Sequence, residues 1–187
     1  MYIVMEMLVS ALLLILIFPI LWKLVFHDFK RTVWYTVFAV YLSAVYFLVG
    51  LPTIQFCTFD VNLNWIPFIG MISDLRNTLL NILLFIPLGC FLPLLWEKYR
   101  SLKNTLIFGF GMTLSIERLQ LFTYRATDIN DILTNFLGTL VGFCIFRLLK
   151  PGAAGRNAKD LVPIFAAVIG VMFFVQPWVI GWIYKVI

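Results

Sequence analysis

The chain has 187 residues, of which 63% are hydrophobic and only 12% charged, with a mean hydropathy of +1.00. A soluble domain carries roughly 25% charged and 45–50% apolar residues, and one of about 150 residues still exposes roughly 30% of its unfolded surface. These figures exclude a soluble enzyme, a disordered chain and a disulfide-stapled module. They point to an all-α integral membrane protein, a bundle of about six transmembrane helices.

A crossing helix needs about 20 predominantly apolar residues. Between polar breaks the sequence offers Met7–Phe26, Thr32–Pro52, Asp74–Trp96, Thr105–Tyr124, Asp128–Leu149 and Leu161–Tyr184. The fourth block is the weakest, because only Asn104–Ile116 separates Lys103 from Glu117. A full crossing there must draw Glu117 and Gln120 below the surface. The first block lacks a basic leader and an A-x-A-like cleavage site, and is expected to be a retained helix. The organisation read from these blocks is two N-terminal helices over 1–52, a core of three over 53–149, and a polar linker with a last helix over 150–187. The linker Lys150–Asp160 is rich in Gly, Ala and charge, a flexible composition.

Charge sets an expected orientation. The ends of the first, third and fifth blocks, with the connections after them, hold ten of the fourteen basic residues. Cytoplasmic loops carry the Lys/Arg excess, so this side is expected inside and both termini outside the cell membrane. The two sides then bear +7 and −2, together the +5 of the chain. A basic balance distributed in this way fits inner-leaflet anchoring and gives no reason to expect a nucleic-acid partner.

Three cysteines make no disulfide framework: Cys57 falls in a connection, and Cys90 and Cys144 are expected to pack as small apolar side chains. His27 beside Asp28 reads as part of an interfacial loop. With no second histidine there is no H-E-x-x-H zinc pair. No nucleophile elbow, phosphate loop or serine–lysine signature is present either. Neither a cofactor nor a metal is implied.

Polar side chains gather in three places near the expected outer surface. The third block opens with Asp74, Arg76, Asn77 and Asn81, and the fourth closes with Ser115, Glu117, Arg118 and Gln120. The fifth opens with Asp128, Asn130, Asp131, Thr134 and Asn135. Polar groups at membrane depth usually face protein or a water-filled cavity and mark a site. Asp128, Asp131, Asn135, Gly138 and Gly142 step by three and four and so form one stripe, acidic at one end and glycine at the other. The glycine half should let another helix approach closely. Asp74, Asn77 and Asn81 repeat the same spacing, and Glu117 and Gln120 share a face. Asp128 reads either as a helix cap or as a functional carboxylate. Glu117 has less excuse: at the late end of its helix the dipole opposes it. It needs a cation such as Arg76, Arg118 or Arg125, a proton, or a ligand. Trp65, Phe56, Phe59 and Phe68 are expected to seat the connection between the second and third blocks at the membrane interface, as anchors.

The stretch Asn62–Phe143 resembles the VanZ-like membrane proteins. The resemblance is carried by Leu63-Asn64-Trp65-Ile66-Pro67-Phe68 and by Asn81-Ile-Leu-Leu-Phe-Ile-Pro87-Leu-Gly89. It continues through Ser115-Ile-Glu117-Arg118-Leu-Gln120, Arg125-Ala-Thr127-Asp128-Ile-Asn-Asp131 and Asn135-Phe-Leu-Gly138. It implies a multi-helix cell-envelope protein, mostly of Gram-positive bacteria. The founding members accompany resistance to teicoplanin-type glycopeptides without remodelling the wall precursor. It also implies that Asn81, Glu117, Gln120, Arg125, Asp128, Asp131 and Asn135 form the polar site, to which the residue spacing adds Asp74 and Asn77.

Two functions of different class fit these residues. In the first, an outer-leaflet polar pocket engages a lipid-linked wall precursor or a lipoglycopeptide. In the second, an intramembrane enzyme modifies a lipid-linked substrate, with Glu117, Asp128 and Asp131 as acid and base or as metal ligands with Asn135. The lack of a catalytic signature favours the first. A transporter ranks below both, because polar groups at one end of a bundle make a poor through-path.

Overall fold

The computed structural model describes residues 2–60, 63–64, 66–68, 71, 74–123, 127–149 and 158–186. These form α1 (Tyr2–Leu21), α2 (Phe29–Leu48), α3 (Leu75–Leu95), α4 (Leu102–Gln120), α5 (Ile129–Leu149), α6 (Leu161–Ile169) and α7 (Gln176–Val186). Two short strands, β1 (Leu63–Asn64) and β2 (Thr127–Asp128), pair in parallel. The chain divides into two compact units, Met1–Cys57 with Lys159–Ile187, and Thr58–Ala158.

Five stretches are long and apolar enough to cross a membrane: Val4–Phe26, Phe29–Leu48, Leu75–Leu95, Ile129–Leu149 and Ala158–Val186. The fourth expected block is helical but is not among them. Lys103, Glu117 and Arg118 all fall within α4 and make it the most polar of the long helices. Large apolar side chains such as Leu83, Leu137 and Leu148 face outward, as a lipid-surrounded bundle requires.

In the first unit, proline decides where the helices depart from α geometry. Pro19 sits inside α1, which runs into a π-helical turn over Trp22–Phe26. The Trp22 carbonyl accepts from the His27 amide, five residues on, at 2.8 Å. Asp28 then caps α2, accepting from the Arg31 amide at 3.1 Å and pairing with its Nε at 3.0 Å. The last block is likewise interrupted by a π segment, Gly170–Val175. Pro177 has no N–H to offer the Phe173 carbonyl four residues back. That carbonyl accepts instead from the Ile54 amide at 3.0 Å, so the bond a proline cannot make ties a connection to the helix. Fully buried Tyr35 of α2 donates its hydroxyl to Asp160 at 2.6 Å, fixing the approach to α6.

The second unit is a three-helix arrangement in which α3 and α5 run parallel, with α4 against both. The glycine half of the α5 stripe does what its spacing suggests. A Cβ on Gly138 would strike the Ile82 carbonyl of α3, and one on Gly142 would strike that of Ile86 and lie 3.0 Å from the Gly89 Cα. Half-buried Cys90 donates to the Gly142 carbonyl at 3.0 Å across this seam, whereas Cys144 is exposed and does not pack inward. Phe85, Leu88, Leu92 and Leu95 of α3 fill the interior. Between α3 and α4, burial pushes the Tyr99 phenol above its ordinary value.

Candidate functional site

Parallel packing of α3 and α5 brings their first turns to one end of the second unit, and antiparallel α4 returns its last turn there. The three polar strings therefore meet in one place. On the α5 stripe, Asp131 accepts from the Asn81 Nδ2 of α3 at 2.6 Å. One turn deeper, Asn135 donates its Nδ2 to the Thr113 hydroxyl of α4 at 2.9 Å. Asn135 and Thr113 are both buried, and the Asn135 Oδ1 meets no donor among the described residues.

One turn beyond Thr113 on α4 lies Glu117, only 3% exposed. Its Oε2 accepts from the Asp128 backbone amide at 3.0 Å, while its carbonyl accepts from the Thr127 hydroxyl at 3.1 Å. The dipole of α4 disfavours a carboxylate at its end, but the start of α5 supplies an amide and its own positive end. Arg76 and Arg118, two of the cations considered for Glu117, are exposed. Arg125, the third, lies outside the described residues, as does Trp65. Gln120 is buried on the same face, and its carbonyl receives the Thr123 hydroxyl at 2.9 Å.

Asp128 caps its helix and makes one contact beyond it. Its Oδ1 accepts from the Asn130 amide at 2.8 Å, a local turn that opens α5, and its Oδ2 accepts from the Asn64 Nδ2 at 3.0 Å. Asn64 is also its strand partner. Asp128 is thus a cap that reaches a distant segment. Asp74 and Asn77, by contrast, are exposed and satisfied by each other. Asp74 caps α3 through the Asn77 amide at 3.3 Å and also accepts from its side chain. These two stand apart from the buried network, although they share a helix face with Asn81.

Three residues outside the expected site take part in these contacts. Thr113 lies one turn below Glu117 and its spacing could have suggested it. Asn64 lies ahead of α3, off the helix faces that spacing picks out. Asn130, 7% exposed, accepts from the Phe68 amide at 2.7 Å. It falls one residue off the Asp128–Asp131 stripe, and a face-by-face reading passes over it. Among the described residues no group of three or more His, Cys, Asp or Glu side chains could hold a metal ion, so Glu117, Asp128 and Asp131 do not form such a set.

The family profile VanZ/LLP1 matches residues 38–150, more than half of the chain and all of the residues just described. The chain belongs to the VanZ/LLP1 family. Protein VanZ of Enterococcus faecium is 30% identical over 111 residues, covering 58% of this chain and 66% of that protein. This VanZ-family chain therefore matches just under two thirds of that relative's length. No solved structure matches it.

Proposed function

We propose that the polar end of the α3–α5 unit binds the headgroup of a lipid-linked cell-envelope component or of a lipoglycopeptide at the outer leaflet, and so lowers susceptibility to teicoplanin-type antibiotics. The observation that carries this reading is the setting of Asp128. It is a half-buried carboxylate whose partners among the described residues, the Asn64 Nδ2 and the Asn130 amide, are neutral. Neutral donors hold the carboxylate in position for an incoming amine or sugar amide. Asp131, ordered by Asn81, stands one turn along the same stripe. The antibiotic connection in this reading rests on what the resemblance to VanZ-like proteins implies. Amine and amide groups beside an acyl chain are the chemistry that lipid-linked envelope components and lipoglycopeptides share.

The test uses near-isosteric changes, so that loss of charge is separated from loss of volume. Asp128→Asn, Asp131→Asn and Glu117→Gln are expressed singly in a susceptible Gram-positive host, with protein level in the membrane measured alongside tolerance. The expected result is loss of lipoglycopeptide tolerance at unchanged protein level, most complete for Asp128→Asn. Tolerance equal to that of the unmodified chain in all three overturns the reading. A lipid species that appears or disappears on expression would instead indicate chemistry on a lipid-linked substrate.

A further inference from the structure

The turn Ile66-Pro67-Phe68 displays three consecutive apolar residues, with Ile66 58% and Phe68 70% exposed. Phe68 has φ of 66°, in the left-handed region that a bulky side chain adopts only when its surroundings hold it there. What holds it is Asn130, nearly buried, whose Oδ1 accepts from the Phe68 amide at 2.7 Å. A second tether lies four residues earlier, where Asn64 pairs with Asp128 through both backbone and side chain. Both ends of the turn are thus fixed to the first turn of α5, a helix long and apolar enough to cross a membrane. Phe68 is thereby held beside the first turn of that helix. At the adjoining helix starts Leu75, Leu79 and Leu133 are exposed as well, beside the exposed polar residues Asp74, Arg76 and Asn77.

We infer that Ile66–Phe68 is a membrane-inserting lip positioned by Asn130, and that its partner is the acyl chains of the leaflet at this end of α3–α5. Simple anchoring by an interfacial aromatic needs neither a left-handed backbone nor a buried amide to hold it. A lip that must stay in one place needs both. Because its seats are Asp128 and Asn130, the lip moves with the carboxylates that begin α5. The inference does not depend on the ligand, since lipid insertion can be read with no ligand present.

The test places a nitroxide at Phe68→Cys in the full chain, with Cys57, Cys90 and Cys144 replaced by Ser, in nanodiscs of phosphatidylglycerol and phosphatidylethanolamine. Collisions with oxygen and with a water-soluble nickel chelate then report depth. The expected result is loss of nickel collisions at position 68, as for a Leu83→Cys control on the outer face of α3. Free access of nickel to position 68 overturns the lip. Asn130→Asp keeps an acceptor for the Phe68 amide and should keep the label inserted, whereas Asn130→Ala should release it to water. An unchanged depth in Asn130→Ala overturns the positioning role. If that variant does not fold, Asn130→Ser, whose hydroxyl is too short to reach the amide, is read in the same way.

Discussion

Asn81 and Asp131 show how little of a membrane polar contact is visible from either residue alone. Each sits on a helix face whose spacing is plain in the chain, yet nothing in the spacing pairs them. The 2.6 Å bond exists because α3 and α5 run parallel with their first turns level. Interhelical hydrogen bonds in bilayers average about 0.6 kcal/mol and reach about 1.7 kcal/mol. A double-mutant cycle of Asn81→Ala and Asp131→Ala, read by unfolding in bicelles, should give a coupling within that range. No coupling would mean that the two residues act separately. Glu117 is the contrasting case. Its position at a helix end marks it as needing a partner, and its Oε2 meets a backbone amide, a donor that no side-chain spacing announces.

At the scale of elements, glycine decides how closely α3 and α5 approach. Gly138 and Gly142 would each drive a Cβ into a carbonyl of α3, and a backbone atom cannot move aside as a flexible side chain can. Gly111 of α4 has nothing within 4 Å of an added Cβ. The same substitution should therefore have opposite signs at the two sites. Gly111→Ala should be neutral or stabilising by up to about 1 kcal/mol, the propensity gain of alanine over glycine. Gly142→Ala should destabilise by about 1–3 kcal/mol, the usual cost of overpacking. Thermal unfolding of the two variants in one detergent checks both. The π segments belong to this scale too. Pro177 was plain in the sequence, but the use of the carbonyl it leaves, as acceptor for Ile54, depends on a connection more than a hundred residues away.

At the scale of the whole molecule, the path of α4 has the largest consequence. It spans Leu102–Gln120 with Lys103 near one end and Glu117 and Arg118 near the other. Nineteen helical residues extend about 28 Å at 1.5 Å each, close to the hydrocarbon thickness of about 30 Å. Glu117 and Thr113 are buried against α5, while Lys103 and Arg118 near the two ends are exposed. We propose that α4 crosses, and that the side rich in Lys and Arg is cytoplasmic. In a chain without its own cysteines, Arg118→Cys should react with an impermeant maleimide on intact cells, and Lys103→Cys only after permeabilisation. Reaction of both from one side would show that α4 turns back. Reaction with the sides exchanged would reverse the orientation.

The sequence by itself determined the class, the helical blocks, the acidic and glycine halves of the α5 stripe, and the three strings that supply the polar residues. These are properties of composition and period, and hydropathy with a 3.6-residue repeat reports which face of a helix is which. The tertiary structure alone decided what each face meets: Asn81 with Asp131, Asn135 with Thr113, Glu117 with the start of α5. It also separated Asp74 and Asn77, which satisfy each other at the surface, from the buried residues they resemble in spacing. Asn64 and Asn130 gained roles only through segments brought beside them. A buried polar group must be satisfied where it lies, and the identity of its partner depends on helix direction and depth, which periodicity does not encode.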